Sequence, residues 1–158
     1  MPNVAGKLPC EPMMRTNQRT IAGVGFLMAC LGAIAGAQKS ETFKIHLVTV
    51  PIDFVQAPKV TGSGSGTATL AGNTLSIQAT FEGLQGAATV AQVHAGRVKG
   101  VRGPVVGELT ASKAIAGTVT GTIKLEPAQI DALRAGRFYV QVNSEAAPDG
   151  NLWGWLLK

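Results

Sequence analysis

The chain has 158 residues and a formal net charge of +5; 46% of its residues are apolar and only 15% are charged, which argues against intrinsic disorder. Its length favours a single domain, because about 100–200 residues support one hydrophobic core. Two cysteines are too few for a disulfide-rich scaffold or a four-thiolate zinc site.

Residues 1–37 have the pattern of a secretory signal peptide. Arg15 and Arg19 precede an uncharged apolar run that ends on the small residues 35–37, which predicts cleavage after Ala37. The alternative is a permanent membrane helix, for which the run is short and rich in alanine and glycine. Three prolines among the first 13 residues suggest that translation starts at Met14.

A second interpretation of the leader is a lipid anchor, since Leu-Met-Ala-Cys at 27–30 resembles a bacterial lipobox ending on Cys30. The protein is expected to be secreted or periplasmic, or else anchored through Cys30. Residues 38–158 form the predicted domain, which contains no cysteine and must be stable without disulfides. Its eleven basic and eight acidic residues do not indicate nucleic-acid binding. Membrane contact is expected only if Cys30 is lipidated or the leader stays attached.

Beyond residue 38, apolar residues recur at every second position, as is typical of short β-strands. This alternation predicts a first strand over 43–47, and the run of glycine and serine at 62–66 predicts a flexible turn or loop. A turn sequence at 71–73 predicts a hairpin over 69–81. Further strands are predicted over 88–95, 105–109, 117–125, 138–144 and 152–157.

One helical segment interrupts the strands. Glu126 is placed to cap it, Pro127 occupies the first helical position, and Gly136 ends it. A helix of about nine residues is too short to dominate the fold. Seven or so short strands at intervals of about 8–12 residues predict an all-β fold, an antiparallel sandwich with one short helix.

Strand alternation also separates polar from apolar side chains. Gln92 and His94 share one face of their strand, and the apolar residues share the other. Tyr139, Gln141 and Asn143 likewise share one face of a later strand. Because a sandwich strand buries only one face in the main core, these polar sets are expected on its outer side.

Five segments follow one another in an order and spacing that is fairly specific: 75–84, Val-Ala-Gln-Val-His-Ala-Gly at 90–96, Gly-Pro-Val-Val at 103–106, 135–144 and 148–156. Together they resemble the CHRD domain, a module first named in chordin and common in secreted bacterial proteins. The resemblance runs from about residue 66 to 157. It implies an immunoglobulin-like β-sandwich similar in layout to Cu/Zn superoxide dismutase.

The same resemblance implies where a metal site could lie, and this chain departs from the family there. Gln92 stands at the position of the family's first histidine, Asn143 at that of a later histidine, and Asn151 at that of a glutamate. His94 alone remains, and one imidazole among neutral amides lacks the ligands that zinc or copper needs. No metal, cofactor or catalytic residue is therefore expected. The alternative is a metal-binding or enzymatic protein centred on His94.

The alignment with the family turns both tryptophans of the last strand outward. One sheet surface would then carry aromatic and amide side chains suited to a neutral polar ligand such as a glycan, or to a partner protein. This predicted binding set comprises Gln92, His94, Tyr139, Gln141, Asn143, Asn151, Trp153 and Trp155. The alternative is that a loop or helix covers the tryptophans as a second small core, since large rings are usually buried.

Three cations follow His94 in a glycine-rich loop, namely Arg97, Lys99 and Arg102. They could hold an anion, although a solvated loop is the simpler interpretation. The sequence as a whole predicts an exported, non-catalytic binding or structural module whose partner is an extracellular protein or a glycan.

Overall fold

The structure is a computed structural model that describes residues 39–51 and 57–158. Within these residues the strands are β1 (Ser40–Thr49), β2 (Ser63–Ala71), β3 (Thr74–Glu82), β4 (Ala88–Ala95), β5 (Val105–Ala111), β6 (Gly117–Lys124), β7 (Phe138–Ser144) and β8 (Leu152–Leu157). A short 3-10 helix (Ala57–Lys59) precedes β2, and one α-helix, α1 (Pro127–Arg134), connects β6 to β7. The predicted leader, with Cys30, lies outside the described residues.

All neighbouring strands pair antiparallel, and the sheet closes on itself in the order β1-β2-β3-β6-β5-β4-β7-β8. The predicted all-β antiparallel fold with one short helix is confirmed. The structure differs from the predicted two-sheet sandwich because β5 and β8 join the two halves. β5 pairs with both β4 and β6, and β8 pairs with both β7 and β1, which makes the sheet a closed barrel.

Alternate apolar side chains from all parts of the ring fill the barrel. The faces that the alternation predicted as core on β1, β3 and β7 do point inward and are buried. Full burial of each large aliphatic or aromatic side chain contributes about 1.5–3 kcal/mol, so this interior is the main source of stability. Its largest members are Phe43, Ile45, Leu47, Leu70, Leu75, Ile77, Leu133, Phe138, Leu152 and Leu156.

The segment 62–66 is not the flexible loop that its glycine and serine content predicted. β2 begins at Ser63 and pairs with β3 without interruption as far as Ala71. A Cβ on Gly64 would overlap the Thr80 carbonyl oxygen, and a Cβ on Gly66 would overlap Ala79. Glycine at these inward-facing positions allows the close approach of two backbones, so here it marks tight packing and not flexibility.

Helix α1 begins at Pro127 as predicted. The N–H of Glu126 donates a hydrogen bond to Gln129 Oε1 at 2.9 Å, which is half of a capping box. At the other end, Arg134 donates to the Glu41 carboxylate of β1, which also lies 2.7 Å from Lys158 Nζ. The hydrogen bonds from Arg134 and Lys158 lower the pKa of Glu41 to about 2. Through this carboxylate, the helix and the chain's last residue are tied to β1.

In the described part of the chain, no helix is long and apolar enough to cross a membrane.

Candidate functional site

The predicted binding set comes together on the outer side of β4, β7 and β8. The register pairs His94 with Tyr139 and Tyr139 with Trp155, which forms one row across the three strands. The next row along the strands consists of Gln92, Gln141 and Trp153. We call these two rows the covered face.

The covered face lies beneath loops, so its rings do not stand open to solvent. Tyr139 is fully buried, and Trp153 and Trp155 keep only 7% and 9% of their surface exposed. Val50, Val60 and Ala147 pack with the three rings in a cluster separate from the barrel interior; the structure therefore shows the alternative arrangement, a second small core. Whether the set contacts a ligand stays a prediction.

Tyr139 is the centre of this cluster and contacts three other rings. The His94 ring stacks on it nearly in parallel, with centroids 5.0 Å apart and planes inclined by 10°. Trp155 lies at 4.6 Å in a tilted arrangement, and Trp153 meets it edge-on at 5.8 Å. Such aromatic pairs add about 0.5–1.5 kcal/mol each to the burial of their area. The cluster is therefore a rigid platform for the segments above it.

His94 uses one ring nitrogen to hold the loop that follows β4. Its Nδ1 lies 3.0 Å from the carbonyl oxygen of Gly103, which fits a neutral ring that donates from Nδ1. Nε2 is buried and has no hydrogen-bond partner among the described residues. Burial lowers the pKa of His94; the charge of Arg102 lowers it further, and the Gly103 hydrogen bond opposes the shift. The ring is therefore neutral at pH 7.

Gly103 is held at both of its backbone polar groups. Its N–H donates to the Tyr139 hydroxyl at 3.1 Å, while its carbonyl accepts from His94. A Cβ at Gly103 would overlap the Ala95 carbonyl oxygen, so only glycine fits. Two stacked rings of the covered face thus fix the loop at one residue.

The other end of this loop is fixed as closely. The N–H of Gly96 donates to the Arg137 carbonyl oxygen at 2.8 Å, and the N–H of Ala95 donates to the Pro104 carbonyl oxygen at 3.1 Å. A Cβ on Gly96 would lie 3.2 Å from the Trp155 ring. Loop 96–104 therefore leaves the barrel and returns to it through two anchored glycines.

The predicted amide ligands hold a second loop, the 145–151 turn between β7 and β8. Gln141 Nε2 donates to Asn143 Oδ1 at 3.0 Å and to the Asp149 carbonyl oxygen at 3.3 Å. Asn143 Nδ2 donates to the Pro148 carbonyl oxygen at 2.8 Å. Arg102 Nη1 reaches the same Asp149 oxygen at 2.9 Å, so the two loops are linked to each other.

Asn151 is fully buried and uses both ends of its side-chain amide within the protein. Nδ2 donates to the Thr61 carbonyl oxygen at 2.6 Å, and Oδ1 accepts from Ser144 Oγ at 3.0 Å. The backbone carbonyl of Asn151 also accepts from the N–H of Val50. Asn151 therefore links three segments: its side chain joins Thr61, just before β2, to the end of β7, and its backbone carbonyl holds the residue that follows β1.

The exposed part of loop 96–104 is its tip, residues 97–102 (Arg-Val-Lys-Gly-Val-Arg), which we call the basic tip. All six residues are exposed. The N–H of Val101 donates to the Val98 carbonyl oxygen at 3.2 Å, and Gly100 has a φ of +90°, so a tight turn places Lys99 at its corner. Sequence reasoning identified the three cations but missed the support that Gly103 gives them; the Gly-Pro pair at 103–104 was the only available signal.

Among the described residues, no three His, Cys, Asp or Glu side chains come together as a metal-binding group. The expectation that the chain works without a metal remains a prediction. Gln92 lies at the edge of the covered face, half-buried beside Gln141.

The CHRD domain model matches residues 49–156, and the chain therefore belongs to the CHRD domain family. The match confirms the resemblance found in the sequence and extends it toward the N terminus, to the end of β1. It includes the whole covered face and both loops held by it. A search of curated proteins and a search of solved structures give no match.

Proposed function

We propose that this protein is an exported, non-catalytic CHRD module that binds its partner through the basic tip. In this proposal the residues predicted as ligand contacts have a different task. They are the frame that holds the loops, and the loops make the contact.

The observation that carries the proposal is the pair of hydrogen bonds made by Gly103, whose N–H donates to the Tyr139 hydroxyl and whose carbonyl oxygen accepts from His94. A loop fixed at its base loses little conformational entropy when it binds, and this raises affinity for a given contact. All six residues of the tip are exposed and three of them are cations, whereas the frame that supports the loop is mostly buried and uncharged. An exposed contact segment on a rigid scaffold is the common arrangement of binding sites in β-proteins.

The state of His94 supports a non-catalytic role. A general base must reach the proton that it abstracts, directly or through one water. His94 Nε2 is buried, and Nδ1 is engaged with Gly103, so neither nitrogen is presented to a substrate in this structure. The alternative centred on His94 would require the 96–104 loop to leave its platform.

Export is supported by the sequence pattern of residues 1–37 and by the absence of cysteine from residues 38–158. The sequence pattern predicted that a glycan or a protein surface would contact exposed rings. Because the tryptophan rings are buried, such a partner would meet the loops and would not stack on the rings.

The test compares the exported protein with the Arg97→Glu/Lys99→Glu variant on a panel of immobilised glycans, anionic polymers and lipids. A matched control, Lys113→Glu/Ile115→Ser, changes an exposed cation and an exposed apolar residue in the β5–β6 turn. We expect every ligand of the unaltered protein to be weakened by the tip substitutions and retained by the control. A ligand bound equally well by the tip variant would contradict the proposal.

A further inference from the structure

Charge is concentrated in the basic tip. Its six residues carry three positive charges and no negative one, whereas residues 38–158 together contain eleven basic and eight acidic residues. The excess of positive charge in the whole domain is thus no larger than the excess in the tip. Arg97 and Lys99 form no ion pair with any described residue, since the ion pairs of the described chain are those of Glu41.

The tip also exposes apolar surface. Val98 and Val101 are 58% and 47% exposed, and the turn between them keeps their backbones close together. Val105, immediately after the loop, is exposed as well. Single exposed valines are ordinary, but two of them at the corner of a cationic turn form a small apolar patch ringed by charge.

The tip cannot hide these valines by folding back onto the barrel. Gly96 and Gly103 are anchored, and Arg102 is held by the Asp149 carbonyl oxygen. The patch is therefore an exposed part of a loop whose two ends are fixed. Its occupant must supply negative charge to the cations and an apolar layer to the valines.

We infer that the basic tip docks on an anionic lipid surface, with Val98 and Val101 entering the headgroup region and Arg97 and Lys99 facing the lipid phosphates. This inference rests on the proposed binding role of the tip and names its partner. A membrane surface is the one polyanion that also offers apolar depth to a shallow insertion. A sulfated polysaccharide would satisfy the cations and leave both valines in water.

Such docking differs from the membrane contact expected through Cys30 or an uncleaved leader, because it uses the exported domain alone. Two cations and two partly inserted valines give weak and reversible attachment, in the range of a single anchoring signal. The charge contribution is screened over about a Debye length, so attachment should fall steeply as salt is raised.

The experiment is co-sedimentation of the protein recovered from the exported fraction with vesicles of phosphatidylcholine, alone or mixed with phosphatidylglycerol. The unaltered protein should bind the mixed vesicles and not the neutral ones. Arg97→Gln/Lys99→Gln should lower the partition coefficient by about 30-fold at low salt. Val98→Ser/Val101→Ser, which keeps every charge, should lower it by about tenfold. Arg102 is left unchanged because it positions the tip.

The matched control is Lys113→Gln/Ile115→Ser, which removes one cation and one exposed apolar side chain from a different turn and should bind as the unaltered protein does. The inference is overturned if the unaltered protein does not bind mixed vesicles, or if the valine variant binds them fully, which would indicate a soluble polyanion. Equal loss in the control would indicate attraction by overall charge and would also overturn it. The proposed function is contradicted by a different result: ligands found on the panel whose binding is unchanged by the tip substitutions.

Discussion

The two sides of the barrel follow the same alternating pattern, but the outward side chains are exposed on one side and buried under loops on the other. On β1, β2, β3 and β6 the outward side chains form what we call the open face, three rows that run across four strands. The rows are Thr42-Thr69-Ser76-Thr122, Lys44-Thr67-Gln78-Thr120 and His46-Ser65-Thr80-Thr118. Nearly all of these residues are exposed, and threonine suits such a pleated surface.

On the covered face, by contrast, the outward residues are large rings and amides buried under two loops. Loop backbone supplies partners to His94 Nδ1 and to the Gln141 amide, through the carbonyl oxygens of Gly103 and Asp149, while His94 Nε2 has no partner among the described residues. Alternation therefore tells which side of a strand faces away from the barrel interior. What lies on that side depends on the loops, and only the residue types, rings with amides against threonines, indicate the difference.

The largest expected difference in stability between the covered face and the open face concerns the tryptophans. Trp153→Ala or Trp155→Ala should lower the free energy of unfolding by about 3–5 kcal/mol each, because either change empties a packed ring site. Thr80→Ala and Thr120→Ala on the open face should change it by no more than about 0.5 kcal/mol. Urea unfolding measures all four. If the tryptophan variants unfold like the threonine variants, the covered face is an open platform and the frame proposal is wrong.

Asn151 sharpens the comparison for a polar side chain. Asn151→Ala would remove the side-chain donor to the Thr61 carbonyl oxygen and the acceptor of the buried Ser144 hydroxyl proton, at a cost of about 2–3 kcal/mol. Gln78→Ala, in the middle of the open face, is the control and should be nearly neutral. Equal stability of the two variants would show that the 151 amide is not the junction described above.

On the strands that carry the open face, the strict requirement concerns an inward-facing glycine that lets two backbones approach closely. Gly66→Ala would push a methyl group into Ala79 and the Gln78 carbonyl, and should destabilise the protein by about 1–3 kcal/mol. Gly100→Ala, in the exposed tip where a Cβ meets nothing, tests positive φ alone and should cost less. Comparing the loss of unfolding free energy in the two variants separates the effect of close packing from that of backbone strain. A harmless Gly66→Ala would contradict the tight pairing of β2 with β3.

The smallest effect concerns pH. Burial lowers the pKa of His94 in the folded protein below its ordinary value of 6.5, so the unfolded chain takes up a proton that the folded chain resists. Stability should therefore fall as pH drops below about 6.5, with a slope of at most about 1.4 kcal/mol per pH unit, and level off below the folded pKa. Unfolding measured across this range should lose that slope in His94→Gln and keep it in His46→Gln on the open face. A slope that survives His94→Gln belongs to another group.

Local features were predictable from the sequence, and long-range ones were not. The bounds of β4, β7 and β8 are those the alternation predicted, since each strand carries its own period of two and its own turn signals. The hairpin of β2 and β3 and the start of α1 were also found. The family resemblance supplied the outward direction of the tryptophans, which alternation alone left open.

Barrel closure escaped prediction because it depends on pairings between strands far apart in sequence, such as β1 with β8. The segment 62–66 escaped because glycine required by a close neighbour looks the same in a sequence as glycine in a loop. The role of Asn151 as a junction depends on Thr61, 90 residues away. Exposure of Val98 and Val101 could not be read from an apolar residue type, and it became visible only once both ends of the loop were placed.

The shortest strand pairing in the barrel is that between β5 and β6. Two residue pairs, Thr110 with Thr120 and Ala111 with Val119, close the sheet there. The β2–β3 hairpin has nine such pairs. The closed ring leaves no unpaired strand edge in the barrel formed by the described residues, which protects the protein against association through its edges. That protection lasts as long as the two residue pairs between β5 and β6 remain formed. The opening of this pairing therefore determines how often the protein exposes an unpaired strand edge to its neighbours.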